Sequence, residues 1–332
     1  METKNYERLG IKIHETGNFN TNSSIKRNDK IIAIKGLKNF LDFDEFKNAY
    51  KILVHERPDI LMVYDYPSIA ILAYKIRFIF KKKTRLILKL DSDGSEFANM
   101  KGLKRYISVL YKFYTRMLFD RVIVESSCGY NKFQNIFGKK LGIVPNSVSY
   151  EYMKNYVENK REKTIITVSR IDKVKNIILL INAFTKIADN FPDWNLKIIG
   201  PITDKKYYGS LNKLIIKYGL QNRITFTGTV DLPQLIDIYR KSSIFCLFSF
   251  NEGFPISRME AIAMGMYVIS TEAGCASDLL KYGIHIVPYD IKKSSEEIKK
   301  AIISIEKNEY NFSQKKISSY KDLAEKIIKN DF

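Results

Sequence analysis

Short runs of β-branched and aliphatic residues alternate with longer stretches of helical period along the whole chain. That alternation is expected of parallel sheets flanked by helices. It predicts strands at 10–14, 30–35, 59–64, 85–90, 121–125 and 142–145 in the first half. In the second half strands are predicted at 164–169, 195–200, 223–227, 244–248, 267–270 and 285–287. Runs such as IITVS and IFCLF are apolar without alternation, which suits strands buried on both faces. Six strands in each half predict two doubly wound α/β domains of similar design. The stretch 147–163 is rich in Glu, Lys and Asn and precedes a fresh strand-helix pattern, so residues 1–150 are assigned to one domain and 151–312 to the other. Residues 313–332 read as an amphipathic helix, with Ile317, Tyr320, Leu323, Ala324, Ile327 and Ile328 on one stripe.

A length of 332 residues, 45% of them apolar, supports two such cores. The three cysteines (Cys128, Cys246, Cys275) and three histidines are scattered without metal-ligand spacing. They argue against a zinc site or a disulfide framework and suit a reducing compartment. The first ten residues lack the apolar stretch of a signal peptide, and the most apolar helical candidate, 68–80, is too short to span a bilayer. A cytoplasmic protein is expected. Its formal charge is +19, of which residues 1–150, with 27 basic and 15 acidic groups, carry 27 − 15 = 12. Residues 75–121 hold thirteen basic groups against four acids. Solvated lysines explain such an excess, as does a face directed at an anionic membrane, which would make the protein peripheral at the inner leaflet. Nucleic acid is the third source of such charge, but no recognised binding motif accompanies it.

In open α/β sheets ligands bind beyond the carboxyl ends of the strands, so the residues that follow the strands carry the functional reading. Ser169 and Arg170 follow the strand at 164–168, and Lys175 comes just before the apolar run IILLINAF. Two cations at a helix N-terminus form an anion clamp, although Arg and Lys are also common in surface loops. Gly200-Pro201 and the loop Gly228 to Val230 end two further strands. The most informative stretch is 251–265, where Glu252 lies in a turn and Pro255 suits the first position of a helix. Gly265 stops that helix. Glu260, eight positions after Glu252, is surrounded by Met259, Ala261, Ile262, Ala263 and Met264. A carboxylate in that setting needs a partner.

Taken in order, Ser169-Arg170, Lys175, Gly200, Thr227-Gly228, Glu252-Gly253-Phe254-Pro255, Glu260-Ala261, Ser270-Thr271 and 274–279 resemble the group 1, family 4 glycosyltransferases of the GT-B fold. The resemblance covers most of 142–290. It implies two Rossmann-like domains facing a central cleft, with the C-terminal helix packing back on the first. It also implies a retaining enzyme that takes a nucleotide-diphosphate sugar without a metal or other cofactor. Arg170 and Lys175 would stabilise the leaving diphosphate, with Glu252 and the amides of Gly253 and Phe254 at the donor sugar. The helix that begins near Pro255 and Ile256 would point its N-terminus at the diphosphate. Glu260 would take the ribose hydroxyls, and Gly228 and Val230 would lie by the base. Asn146, within Pro145-Asn146-Ser147, matches the family's domain junction and is an acceptor-side candidate together with Gly17 and Asp91.

The sequence departs from the family pattern in four places. Gly17 lies in a poor match to the Gly-rich first turn, and Asp91 stands where a histidine is common. Pro255 and Cys275 replace common glycines. The expected acceptor is a hydroxyl of a glycan or lipid-linked glycan in bacterial-type surface polysaccharide or glycolipid assembly. A phosphorylase or epimerase on the same fold, or a non-enzymatic basic binding protein, is the alternative.

Overall fold

A computed structural model describes residues 11–15, 31–35, 59–64, 84–90, 116–154, 156, 161–315, 317, 318, 322 and 326. The chain divides into two compact units, one of Met1–Pro145 with Tyr320–Phe332 and the other of Asn146–Ser319.

The first unit is built on a six-stranded parallel sheet of β1 (Ile11–Glu15), β2 (Ile31–Lys35), β3 (Ile60–Tyr64), β4 (Arg85–Leu90), β5 (Arg121–Val124) and β6 (Leu141–Ile143). Each predicted strand of this half is present within a residue or two. Their order differs from the doubly wound expectation, because the strands run β1 to β6 across the sheet without reversal. Apolar periodicity shows that a strand is buried but does not specify which edge it pairs with. Helix α1 (Ser127–Phe137) follows β5, and its N-cap Ser126 accepts a hydrogen bond from Gly129 N at 3.3 Å.

The second unit contains α2 (Tyr150–Lys154), β7 (Glu162–Val168), α3 (Ile177–Thr185), β8 (Asn195–Ile199), α4 (Lys205–Lys217) and β9 (Ile224–Gly228). Then come α5 (Leu232–Lys241), β10 (Ser242–Leu247), α6 (Ile256–Ala263), β11 (Tyr267–Ser270), β12 (His285–Ile286) and α7 (Ile291–Glu306). Its sheet is wholly parallel in the order β12-β11-β10-β7-β8-β9. This is the doubly wound arrangement, which starts at β7, builds outward to β9, then returns to build β10 to β12 on the other side.

The sheet separates two apolar clusters, and successive residues of one strand enter different ones. Ile244 and Cys246 of β10 pack with Ile165, Phe184, Trp194 and Ile298, whereas Phe245 and Leu247 pack with Ile166, Tyr239, Met259 and Ile262. All six β10 residues are buried, so the unbroken apolar run IFCL is explained by cover on both faces. Each such side chain contributes about 1.5–3 kcal/mol by leaving water. Among the described residues no helix is long and apolar enough to cross a membrane.

Candidate active site

Strand order reverses between β7 and β10, and the loops leaving their carboxyl ends must diverge there. The β7 loop continues through Ser169 and Arg170 into a single 3₁₀ turn, Lys173–Lys175, capped by the Asp172 carboxylate on Lys175 N at 3.2 Å. Asn176 then adopts the left-handed conformation (φ 47°) and starts α3. Its amide donates to Phe248 O at 3.2 Å, and Phe250 N donates to Val174 O at 2.8 Å. These two bonds join the β7 loop to the β10 loop.

They bring together two predicted residues that are 77 positions apart in sequence. Lys175 Nζ lies 2.6 Å from Glu252 Oε1 and 2.8 Å from Oε2, and Ser249 Oγ donates to the same carboxylate at 2.6 Å. The Lys175 and Glu252 side chains are 14% and 9% exposed, so the pair is held in a largely dehydrated setting where charge acts strongly. Arg170 differs: its side chain is 61% exposed and touches Asp172 only at 3.5 Å. Of the two predicted cations, one is thus held by a buried carboxylate and the other is largely exposed.

Glycines fix the surrounding loops. At Gly200 (φ +134°) a β-carbon would sit 2.1 Å from Ser169 O, so the end of β8 approaches the Ser169-Arg170 loop as only glycine permits. The strand-ending glycine is thus more than a turn signal. At Gly274 (φ +64°) a β-carbon would meet Glu252 Cβ and Gly253 O at 2.9 Å each. Cys275 also adopts the left-handed conformation (φ 50°), which accounts physically for a site suited to glycine.

Helix α6 leaves the same corner. Pro255 is its N-cap rather than its first residue, with backbone angles (φ −66°, ψ 119°) that continue the preceding turn. It provides no side-chain cap, whereas α4, α5 and α7 are capped by Asp204, Asp231 and Asp290. The first amides of α6 are thus left available to an anion. The helix ends in a Schellman motif, with Gly265 N donating to Ile262 O and Met266 N to Ala261 O. Glu260 finds the partner its apolar neighbours demand, since the buried Tyr239 hydroxyl donates to it at 3.0 Å. Burial and the neighbouring Glu260 charge push the Tyr239 phenol well above its ordinary value.

The remaining predicted residues fall as follows. Gly228 is at the end of β9 (φ +70°), with its carbonyl accepting from Gly200 N at 3.0 Å. Val230 packs on the apolar cluster beneath α5. Asn146 donates to Phe254 O at 3.0 Å and so steadies the turn that carries Glu252, Gly253 and Phe254. Gly17 and Asp91 lie outside the described residues, as does most of the basic stretch 75–121.

A sequence model of the family Glycosyl transferases group 1 matches residues 149–329, more than half of the chain. The chain belongs to the group 1 glycosyl transferases. Among individual relatives, an uncharacterized glycosyltransferase of Methanocaldococcus jannaschii is 26% identical over 69% of this chain and 60% of its own length. An uncharacterized glycosyltransferase of Haemophilus influenzae is 30% identical over 35% of this chain and 32% of its own. The chain thus spans less than two thirds of each of these relatives. The fold is that of solved GT-B glycosyltransferases. Anabaena HepE, solved with UDP and glucose, superposes with a TM-score of 0.67 at 15% identity over 91% of this chain and 88% of its own. A Rickettsia africae glycosyltransferase gives 0.65 at 17% identity, over 83% and 80%.

Two buried charged features were not anticipated from sequence. Arg258 is fully buried on α6, and the signal that singled out Glu260, a charge within an apolar helix, applies equally to it. In the first unit Lys89 and Glu125 form an ion pair of 2.6 Å at the carboxyl ends of β4 and β5, with side chains 9% and 5% exposed. The lysine inside RLILKL was its only visible trace.

Proposed function

We propose that this protein transfers a sugar from a nucleotide-diphosphate sugar to a hydroxyl acceptor with retention of anomeric configuration. The observation that carries this reading is the Lys175–Glu252 pair across the strand-order reversal, beside the uncapped start of α6. Cations and aligned amides placed together are suited to a diphosphate, whose negative charge grows as the bond to the sugar breaks. Lys175, Arg170 and the amides of Ile256 and Ser257 meet that charge, and Glu252 holds the sugar hydroxyls. Glu260, oriented by Tyr239, receives the ribose, and Gly228 and Val230 border the base. The acceptor oxygen attacks the anomeric carbon on the face from which the phosphate departs, and the departing phosphate oxygen takes the acceptor's proton. The family match and the likeness to HepE, solved with UDP-glucose, support a nucleotide-sugar donor.

With four positive or dipolar groups at the leaving group, the reaction is proposed to need no resident metal, and turnover is expected to persist in EDTA. The acceptor is proposed to be a glycan or lipid-linked glycan of a surface polysaccharide or glycolipid. The excess positive charge of the first 150 residues would favour a peripheral place on an anionic inner leaflet. The functional reading is tested by melting the protein with UDP, GDP and ADP. One of them is expected to raise Tm, by an amount set by its affinity, and to do so much less in Lys175→Ala. Proton NMR of the product's anomeric signal then tests retention, and an inverted product would end that part of the reading.

A further inference from the structure

We propose that Arg258 is a positioning residue for the transfer reaction, holding the strap 271–274 against the turn that presents Glu252. The inference rests on the functional reading above and adds to it a residue that contacts neither substrate.

Arg258 is the third residue of α6 and is 0% exposed. Its guanidinium donates to Ser270 Oγ at 3.1 Å, Ala273 O at 2.9 Å and Gly274 O at 2.9 Å, while its Nε finds no acceptor among the described residues. Among the described residues no carboxylate lies within ion-pair distance, and Glu252, Glu272 and Asp278 act on it only at longer range. Burial pushes the guanidinium down to about 10, so it remains charged at neutral pH. Stability alone does not explain a buried cation without a paired anion. An apolar side chain would fill this buried place beside the Phe254 ring at less cost in desolvation.

What the guanidinium secures is the path of the strap. Gly274, whose carbonyl it holds, is packed so tightly that a β-carbon would lie 2.9 Å from Glu252 Cβ and 3.0 Å from Pro255 Cδ. Ser270, held by the same side chain, donates to Thr271 O at 2.8 Å, and the Thr271 hydroxyl donates to Ser249 O at 2.8 Å. Ser249 in turn donates to the Glu252 carboxylate. The Glu252 turn is thus braced from two directions, and both lead to Arg258. This matters when a donor arrives. Lys175 now holds Glu252 directly, and a diphosphate competes for that ammonium. The strap keeps the carboxylate in place once Lys175 turns to phosphate.

The test compares the 332-residue chain with its Arg258→Met and Arg258→Lys variants, using the nucleotide sugar it consumes. Arg258→Met is expected to keep its Tm within roughly 4 °C of the parent. Its donor KM should change by less than about threefold while kcat falls about 10²-fold, the signature of lost positioning rather than lost binding. Arg258→Lys keeps the charge but cannot span three acceptors, and is expected to recover only part of kcat. Full kcat in either variant overturns the assignment. So does a loss of kcat that merely follows a fall in Tm and a rise in KM, the pattern of general loosening. If Arg258→Met does not fold, Arg258→Lys alone decides by the same KM-against-kcat split. An unaltered chain that consumes no nucleotide sugar refutes the functional reading itself, and this assignment with it.

Discussion

At single residues, the site is defined as much by what cannot be added as by what is present. A β-carbon at Gly200 would overlap Ser169 O, and the backbone there cannot yield without moving the loop that carries Arg170. Gly200→Ala is therefore expected to cost roughly 3 kcal/mol in urea unfolding. An unchanged midpoint would show that the approach is looser than described. In the first unit, removing one member of the buried Lys89–Glu125 pair takes a 2.6 Å ion-pair partner away from the other charge. Lys89→Met is expected to cost about 3–5 kcal/mol, and Lys89→Met with Glu125→Gln distinctly less; equal losses would argue against the pair. Residue-scale legibility was uneven for a physical reason. Lys175 and Glu252 stood out because they follow predicted strands, but their direct contact is tertiary and depends on Asn176 and Phe250 joining two loops. Glu260 was flagged as needing a partner, yet nothing in the sequence singles out Tyr239 on α5 as that partner.

Among the elements, the strands were the most legible feature, because burial on both faces leaves unbroken apolar runs with polar ends. The stop of α6 at Gly265 was equally plain, since the Schellman turn needs a positive φ there. Its start was less so: Pro255 fits either the N-cap or the first turn, and the backbone angles decide. Strand order in the first sheet was not legible, because pairing depends on edges that periodicity does not encode. Helix α7 is tied to β11 and β12 through Glu297, which accepts from His285 Nδ1 at 2.9 Å and from the Tyr267 hydroxyl at 3.0 Å. The hydrogen bond from His285, helped by that from Tyr267, holds the Glu297 carboxyl down, from the ordinary 4.5 to about 2. A carboxyl depressed in the folded state contributes stability above its unfolded value and loses that contribution as pH falls through the folded one. The Tm gap between the parent and Glu297→Gln should therefore be complete above about pH 4.5 and shrink towards pH 2. A gap that stays constant over that window would exclude the linkage.

For the molecule as a whole, the second unit carries every described residue assigned to the donor, as its doubly wound sheet and single reversal of strand order require. The charge of +19 was legible from composition, but composition does not place it on a surface, and the basic stretch 75–121 lies mostly outside the described residues. If the donor occupies the corner between β7 and β10, a bound nucleotide diphosphate should slow hydrogen exchange at 169–176 and 253–258. Amides of α7 should be unaffected, and protection confined to α7 would move the site elsewhere. The most direct test of the central claim is release of nucleotide diphosphate from a panel of UDP-, GDP- and ADP-sugars, measured for the parent and for Lys175→Ala. The parent is expected to release product from at least one of these donors, and Lys175→Ala to release it about 10²–10³-fold more slowly. Release that is undiminished in Lys175→Ala, or absent from the parent with every donor, would contradict the account.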